Sequence, residues 1–166
     1  MLKFVPITPY FAVSGALQPG DFAEVARLGF RSVLSNLPDG ESASHPASGQ
    51  EAELAADAGL GFAHVPATKF EVFSGRVVGG VTAALETLEG PVLAHCASGL
   101  RSALAWAAAA AARGQPADCI LDRLRAAGFS LDAVRDDLEA LAGPAGDGPI
   151  PAALDAGCDK PGRMIA

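Results

Sequence analysis

One stretch constrains this chain more than any other: Val92-Leu93-Ala94-His95 runs straight into Cys96-Ala97-Ser98-Gly99-Leu100-Arg101-Ser102. A short apolar run without polar alternation is what a strand covered on both faces requires, and such strands belong to parallel sheets. Residues 101–113 that follow are Ala-rich and apolar all round, which predicts a buried helix. A buried strand, a Gly-containing loop and a buried helix in direct succession place the loop at the carboxyl edge of a parallel sheet, where such folds bind ligands.

The rest of the chain repeats the same unit. Residues 11–14 read as a strand ending at Gly15; Pro19 starts a helix with Phe22, Val25, Ala26 and Leu28 on one face, and Gly29 stops it. Arg31 to Leu37 is a second strand, closed by the turn signal Pro38-Asp39-Gly40. Residues 40–49 are small and polar, as in an exposed loop, and Ser48 and Glu51 have capping-box spacing before a helix ending at Gly59. Phe62 to Val65 is a third strand, and Pro66 to Ser74 a loop. Ser74 caps a helix to about Leu88, weakened by Gly79-Gly80, and Gly90-Pro91 ends it. Two further helices are expected, over 116–127 and 131–142, the last capped by Ser130.

The expected architecture is therefore an α/β fold. A mainly parallel central sheet of four to five strands carries helices on both faces, with a catalytic domain over 1–142 and a mostly irregular tail over 143–166. A length of 166 residues suits one such domain. The net charge of −7 argues against non-specific nucleic-acid binding, which needs clustered Lys and Arg. No apolar run is long enough for a membrane span, and no charged region followed by an apolar stretch marks a signal peptide. Three widely spaced cysteines give no disulfide framework, and no paired Cys/His spacing suggests zinc, so neither metal nor cofactor is expected and a reducing cytoplasm is the default.

The loop itself carries the chemistry. The first amides of a helix have no intrahelical partner and the dipole adds positive charge there, so the backbone of Ala97, Ser98, Gly99 and Leu100 is a candidate anion cradle. Gly99 permits the positive φ that such a nest needs. Arg101 offers a planar fork of donors to an oxyanion. Cys96 sits in the same field, which favours its thiolate, the nucleophilic form. Ser102 is placed to donate to that sulfur or to a leaving thiolate, and His95 to brace the loop.

His-Cys-x-x-Gly-x-Arg-Ser resembles the signature loop of cysteine-dependent phosphatases. Tyr10 to Gly15, Gly29 to Leu37, Asn36-Leu37-Pro38-Asp39-Gly40-Glu41 and Ala127 to Asp132 are similar to the bacterial phosphatase-like domains fused to β-lactamase-fold hydrolases, some of which are labelled sulfur transferases. The resemblance covers residues 4 to about 142. It implies a dual-specificity-phosphatase-like fold and a cysteine nucleophile; a loop that only senses an oxyanion would instead dock a partner oxidoreductase or β-lactamase-fold hydrolase.

Two departures from the phosphatase pattern stand out. Four residues separate Cys96 from Arg101 where phosphatases have five, a length used by rhodanese-type sulfurtransferases. The loop Pro66 to Phe73 holds no Asp to protonate a leaving alcohol, which leaves Glu71, or Asp39 from the second strand's end, as the candidate acids. The leading reading is a sulfurtransferase forming a persulfide on Cys96. Its rivals are a phosphatase working through a phosphocysteine and a non-catalytic oxyanion-binding module. A small sulfur or phosphate oxyanion is the expected ligand in all three. Cys119, Trp106 and Leu104 read as core packing, Cys158 as a free exposed thiol, His64 as structural and His45 as a loop residue. Lys69 and Arg76 read as solvated surface charges.

Overall fold

The computed structural model describes residues 1–143 and 148–158. Five strands, β1 (Phe4–Thr8), β2 (Phe11–Ser14), β3 (Ser32–Ser35), β4 (Gly61–His64) and β5 (Val92–His95), form one sheet in the order β1-β2-β5-β3-β4. The last four run parallel; β1 alone is antiparallel, paired with β2. Sequence reading misses β1 because Pro6 removes a ladder donor, which an edge strand tolerates.

β5 lies at the centre, with Ser14 of β2 and Ser35 of β3 both in register with His95. Its neighbours cover it on both sides, so its carboxyl end opens between two other strand ends. Alternate residues feed two cores. Ala12, Val33 and Leu93 face α1 (Asp21–Arg27) and α2 (Ser48–Asp57), together with Phe22, Val25 and Ala55. Val13, Leu34 and Ala94 face α3 (Gly75–Thr87), α4 (Leu100–Ala112), α5 (Ala117–Ala126) and α6 (Arg135–Leu141). The α4 alanines are almost all buried, as its all-round apolar sequence predicts.

Several local expectations need correction. α2 has no capping box: Ala47 is its N-cap and makes no side-chain bond, because Ser48 is bonded to Asp39 and Glu51 turns inward. Gly79-Gly80 does not interrupt α3, since Gly80 lets the helix lie against Val65, where a Cβ would come within 2.9 Å of Cγ1. Ser74 does cap α3, accepting from the Val77 amide. The last helix begins later than expected, a 3-10 turn over Asp132–Val134 leading into α6 without a Ser130 cap. Residues 148–158 are irregular apart from a 3-10 turn over Ala152–Leu154, but they are packed: Ala153, Leu154 and Ala156 are buried. Cys119 and Cys158 are neither plain packing nor a free thiol; they are paired as a disulfide. Among the described residues no helix is long and apolar enough to cross a membrane, and no three His, Cys, Asp or Glu side chains gather as metal ligands.

Candidate active site

β5 ends at His95, and the chain turns through Cys96 to Gly99 into α4. Gly99 takes φ +93°, the left-handed conformation a side chain rarely adopts, and a Cβ there would press to 3.4 Å from the Ser14 carbonyl oxygen. Gly15 serves the same closeness from the other side, lying against the Ala97 carbonyl. The Cys96 amide donates to that Ser14 oxygen at 3.4 Å, so the β2 end anchors the loop. The Gly99 amide donates to Cys96 Sγ at 3.1 Å. Leu100, Arg101 and Ser102 begin α4, where amides lack intrahelical acceptors. Cys96 is buried on the loop's floor while Ala97, Ser98 and Leu100 are exposed at its rim.

Arg101 folds back over the loop. Its Nη1 donates to Glu41 Oε1 and to the Ala67 carbonyl, both at 2.8 Å, and its Nη2 donates to Glu41 Oε2 at 2.6 Å. A guanidinium has five N–H bonds. Three are committed here, which leaves the Nε–H and one Nη2–H, side by side on one edge. That edge is the bidentate fork available to an anion. First the Glu41 carboxylate and then the Cys96 sulfur hold the guanidinium above its ordinary basicity, against its partial burial. Glu41 is held below the usual carboxylate range by the same pair. Sequence reading places Glu41 only at the end of the segment Asn36-Leu37-Pro38-Asp39-Gly40-Glu41 and gives it no contact with Arg101.

Two more polar contacts fix the loop from β3 and α2. Asn36 accepts from the Ser102 hydroxyl at 2.8 Å and donates through Nδ2 to the Val65 carbonyl at 2.9 Å, while its amide donates to the His95 carbonyl. The Ser102 proton is thereby directed at Asn36 and not at the sulfur, correcting the expected role. His95 Nε2 lies 2.7 Å from Glu51 Oε1, with both side chains almost fully buried. The approach is off the line of a hydrogen bond, and Nδ1 has no partner among the described residues.

The family described as Beta-lactamase hydrolase-like protein, phosphatase-like domain, matches residues 3–113. The chain belongs to it. A Beta-lactamase hydrolase-like protein of Xylella fastidiosa is 34% identical over 106 residues, 64% of this chain. The match takes in only 24% of that relative, so the chain spans about a quarter of the curated relatives' length. A Neisseria meningitidis protein provisionally assigned as a phosphatase is 32% identical in its solved structure, with a TM-score of 0.70 over 82% of this chain and 96% of that one. A mutant form of Tk-PTP shares the fold at 24% identity, with a TM-score of 0.61 over 84% of this chain and 94% of that one.

In this phosphatase-like domain both candidate acids accept hydrogen bonds from neighbouring groups. Asp39 accepts from the Ser48 hydroxyl and amide, both at 2.7 Å, and these bonds lower its pKa. Glu71 accepts from the Thr68 amide at 2.9 Å and pairs with Arg76; the Thr68 bonds first, then Arg76, lower its pKa too. Arg76 also donates to the Pro66 carbonyl, so it ties down the loop beside the site. His64 bonds the Leu37 carbonyl oxygen through Nε2 and is structural.

Proposed function

We propose that this domain is a cysteine-dependent group-transfer enzyme, and specifically a sulfurtransferase. The observation that carries the reading is the four-residue span from Cys96 to Arg101, closed into a ring tight enough for the Gly99 amide to reach Sγ. Cys96 thiolate attacks the sulfane sulfur of a thiosulfate or a persulfide. The S–S bond of the donor breaks, sulfite or a thiolate leaves with the electron pair, and Cys96 keeps one extra sulfur as a persulfide. An acceptor thiol then attacks the outer sulfur and restores Cys96. Loop amides and the free edge of Arg101 hold the anionic groups throughout. Sulfite and thiolates leave without protonation, which fits a site whose two candidate acids, Asp39 and Glu71, accept hydrogen bonds from other groups. A partner oxidoreductase or β-lactamase-fold hydrolase that consumes the sulfur belongs to the same proposal.

The second reading is phosphate-ester hydrolysis through a phosphocysteine. The solved relatives support this better than the first reading, above all the Neisseria protein at 32% identity. The site supports it less, since an alkoxide needs an acid and the candidates have depressed pKa values.

One experiment separates the two. The protein is mixed with thiosulfate, and separately with p-nitrophenyl phosphate, whose leaving group scarcely needs an acid. The mass of the Cys96 peptide, sulfite release and phenolate release are then followed. One added sulfur on Cys96 with cyanide-dependent turnover is expected. Phenolate release lost in Cys96→Ser, with no added sulfur, replaces the first reading by the second.

A further inference from the structure

We propose that Cys119–Cys158 is a second reactive sulfur site, a disulfide that exchanges with thiols and whose opening unlatches the C-terminal strap of residues 148–158. It stands independently of the chemistry assigned to Cys96.

The two cysteines are 39 residues apart in sequence, and their Cα atoms lie 6.1 Å apart, within the range a disulfide spans. Both are half-buried and line an open cleft of about 510 Å³ that also takes in Asp118, Asp122, Arg123 and Gly157. A thiol entering that cleft reaches the sulfurs without unfolding the domain. Cys119 and Arg123 lie one turn apart on α5, on the same face. Gly157 turns directly over the guanidinium, where a Cβ would meet Arg123 Nη2 at 2.5 Å. A cation beside a disulfide favours both an incoming thiolate and the thiolate that leaves.

The strap's other ties are the burial of Ala153, Leu154 and Ala156 and a few hydrogen bonds, Arg113 to the Pro149 carbonyl among them. The Ala156 carbonyl accepts from Arg123 Nε at 3.1 Å and Nη2 at 2.8 Å, and the Ala156 amide donates to Gln115 Oε1. The Ala153 carbonyl accepts from Trp106 Nε1 at 2.7 Å, deep in the core. Trp106 is on α4, the helix that begins at the anion loop, and it is the only tryptophan in the chain. The covalent link is thus the one bond of the strap that a change in thiol chemistry can remove.

The exchange balances simply. One thiolate of a dithiol attacks a sulfur of the pair and the other cysteine leaves as a thiolate. The second thiol of the dithiol then attacks its own sulfur in the mixed disulfide, and the attacked cysteine leaves as the second thiolate. The protein gains two electrons and two protons, and the dithiol is oxidised to its disulfide.

The test uses the full chain and dithiothreitol as the probe. Free thiols are counted with and without prior native reduction, while Trp106 emission and cleavage by a dilute protease are followed. Air-oxidised protein is expected to have one free thiol, Cys96, rising to three after reduction without denaturant. Trp106 emission shifts to longer wavelength in step, and new cuts appear C-terminal to Leu141. Cys158→Ser and Cys119→Ser are each expected to show the reduced emission whatever the redox state. Cys96→Ser keeps the transition. Three free thiols in the oxidised protein, reduction only in denaturant, or full reduction with emission and cutting unchanged would each overturn the proposal.

Discussion

Glu41→Gln separates a carboxylate that orients Arg101 from one that competes with the substrate for it. In the folded protein Glu41 takes one bond from each terminal nitrogen of the guanidinium, at 2.8 and 2.6 Å. The amide keeps one acceptor, loses the charge, and cannot hold both nitrogens. Arg101 retains the Ala67 carbonyl and one bond to the remaining amide oxygen. The stability cost is small: the Glu41 side chain is 35% exposed, so water replaces much of what is lost, and under about 1 kcal/mol is expected. The cost to the chemical step is larger, because a rotated fork no longer meets the developing charge. A fall of roughly tenfold to a hundredfold in single-turnover rate, about 1.4–2.8 kcal/mol, is expected. The pH dependence has a definite sign. Arg101 holds Glu41 below its ordinary value of 4.5, so the pair is complete above that value and is lost as pH falls through the lower folded one. The native-to-variant rate ratio should stay constant above pH 4.5 and shrink as pH falls through the lower folded value. Sulfite release in single turnover and the urea midpoint measure the two effects. A variant that reacts faster than the native protein, or binds thiosulfate more tightly, would refute the orienting role.

Three further outcomes follow from the same geometry. Arg101→Lys keeps the charge but loses the fork, the Glu41 pair and the Ala67 bond together, so kcat/KM should fall by at least about tenfold in steady-state assays. Ser102→Ala leaves the buried Asn36 Oδ1 without its donor and should cost about 1–3 kcal/mol by urea denaturation. A loss of activity far exceeding that loss of stability would put Ser102 back in contact with the substrate. Asp39→Asn combined with Glu71→Gln should leave turnover within about twofold, whereas a loss above about tenfold would restore a general acid to the mechanism.

How much of this was legible in the sequence depends on the range of the interactions. β5, the anion loop and α4 could be read because each signal is local: an apolar strand, a glycine at the bend, an unbroken run of alanines. The loop's central place followed from that reading, since only a strand flanked on both sides can be apolar throughout. β1 was hidden by Pro6, which reads as a breaker although one side of an edge strand needs no donor. The disulfide was hidden because its two cysteines meet through the fold of a 39-residue separation that carries no pattern. The capping box failed for a different reason. Ser48 and Glu51 have the right spacing, but Ser48 bonds Asp39 across the turn and the Glu51 carboxylate turns inward to lie against His95 on the central strand.

That last failure explains why the site was only half visible. Residues 36–51 read as a strand end, a turn and a small polar loop, all features that solvent alone would account for. In the folded protein they carry Asn36 to Ser102, Asp39 to Ser48, Glu41 to Arg101 and Glu51 to His95. Three of these contacts grip the segment His95 to Ser102 itself, and the Asp39 bond holds the start of the helix that supplies Glu51. An anion cradle stabilises a transition state only if its donors already point the right way, because reorienting them during reaction would consume the stabilisation they provide. The donors are written in the loop's own sequence, but their orientation is set 44 to 66 residues away, by polar side chains whose partners no local spacing can name.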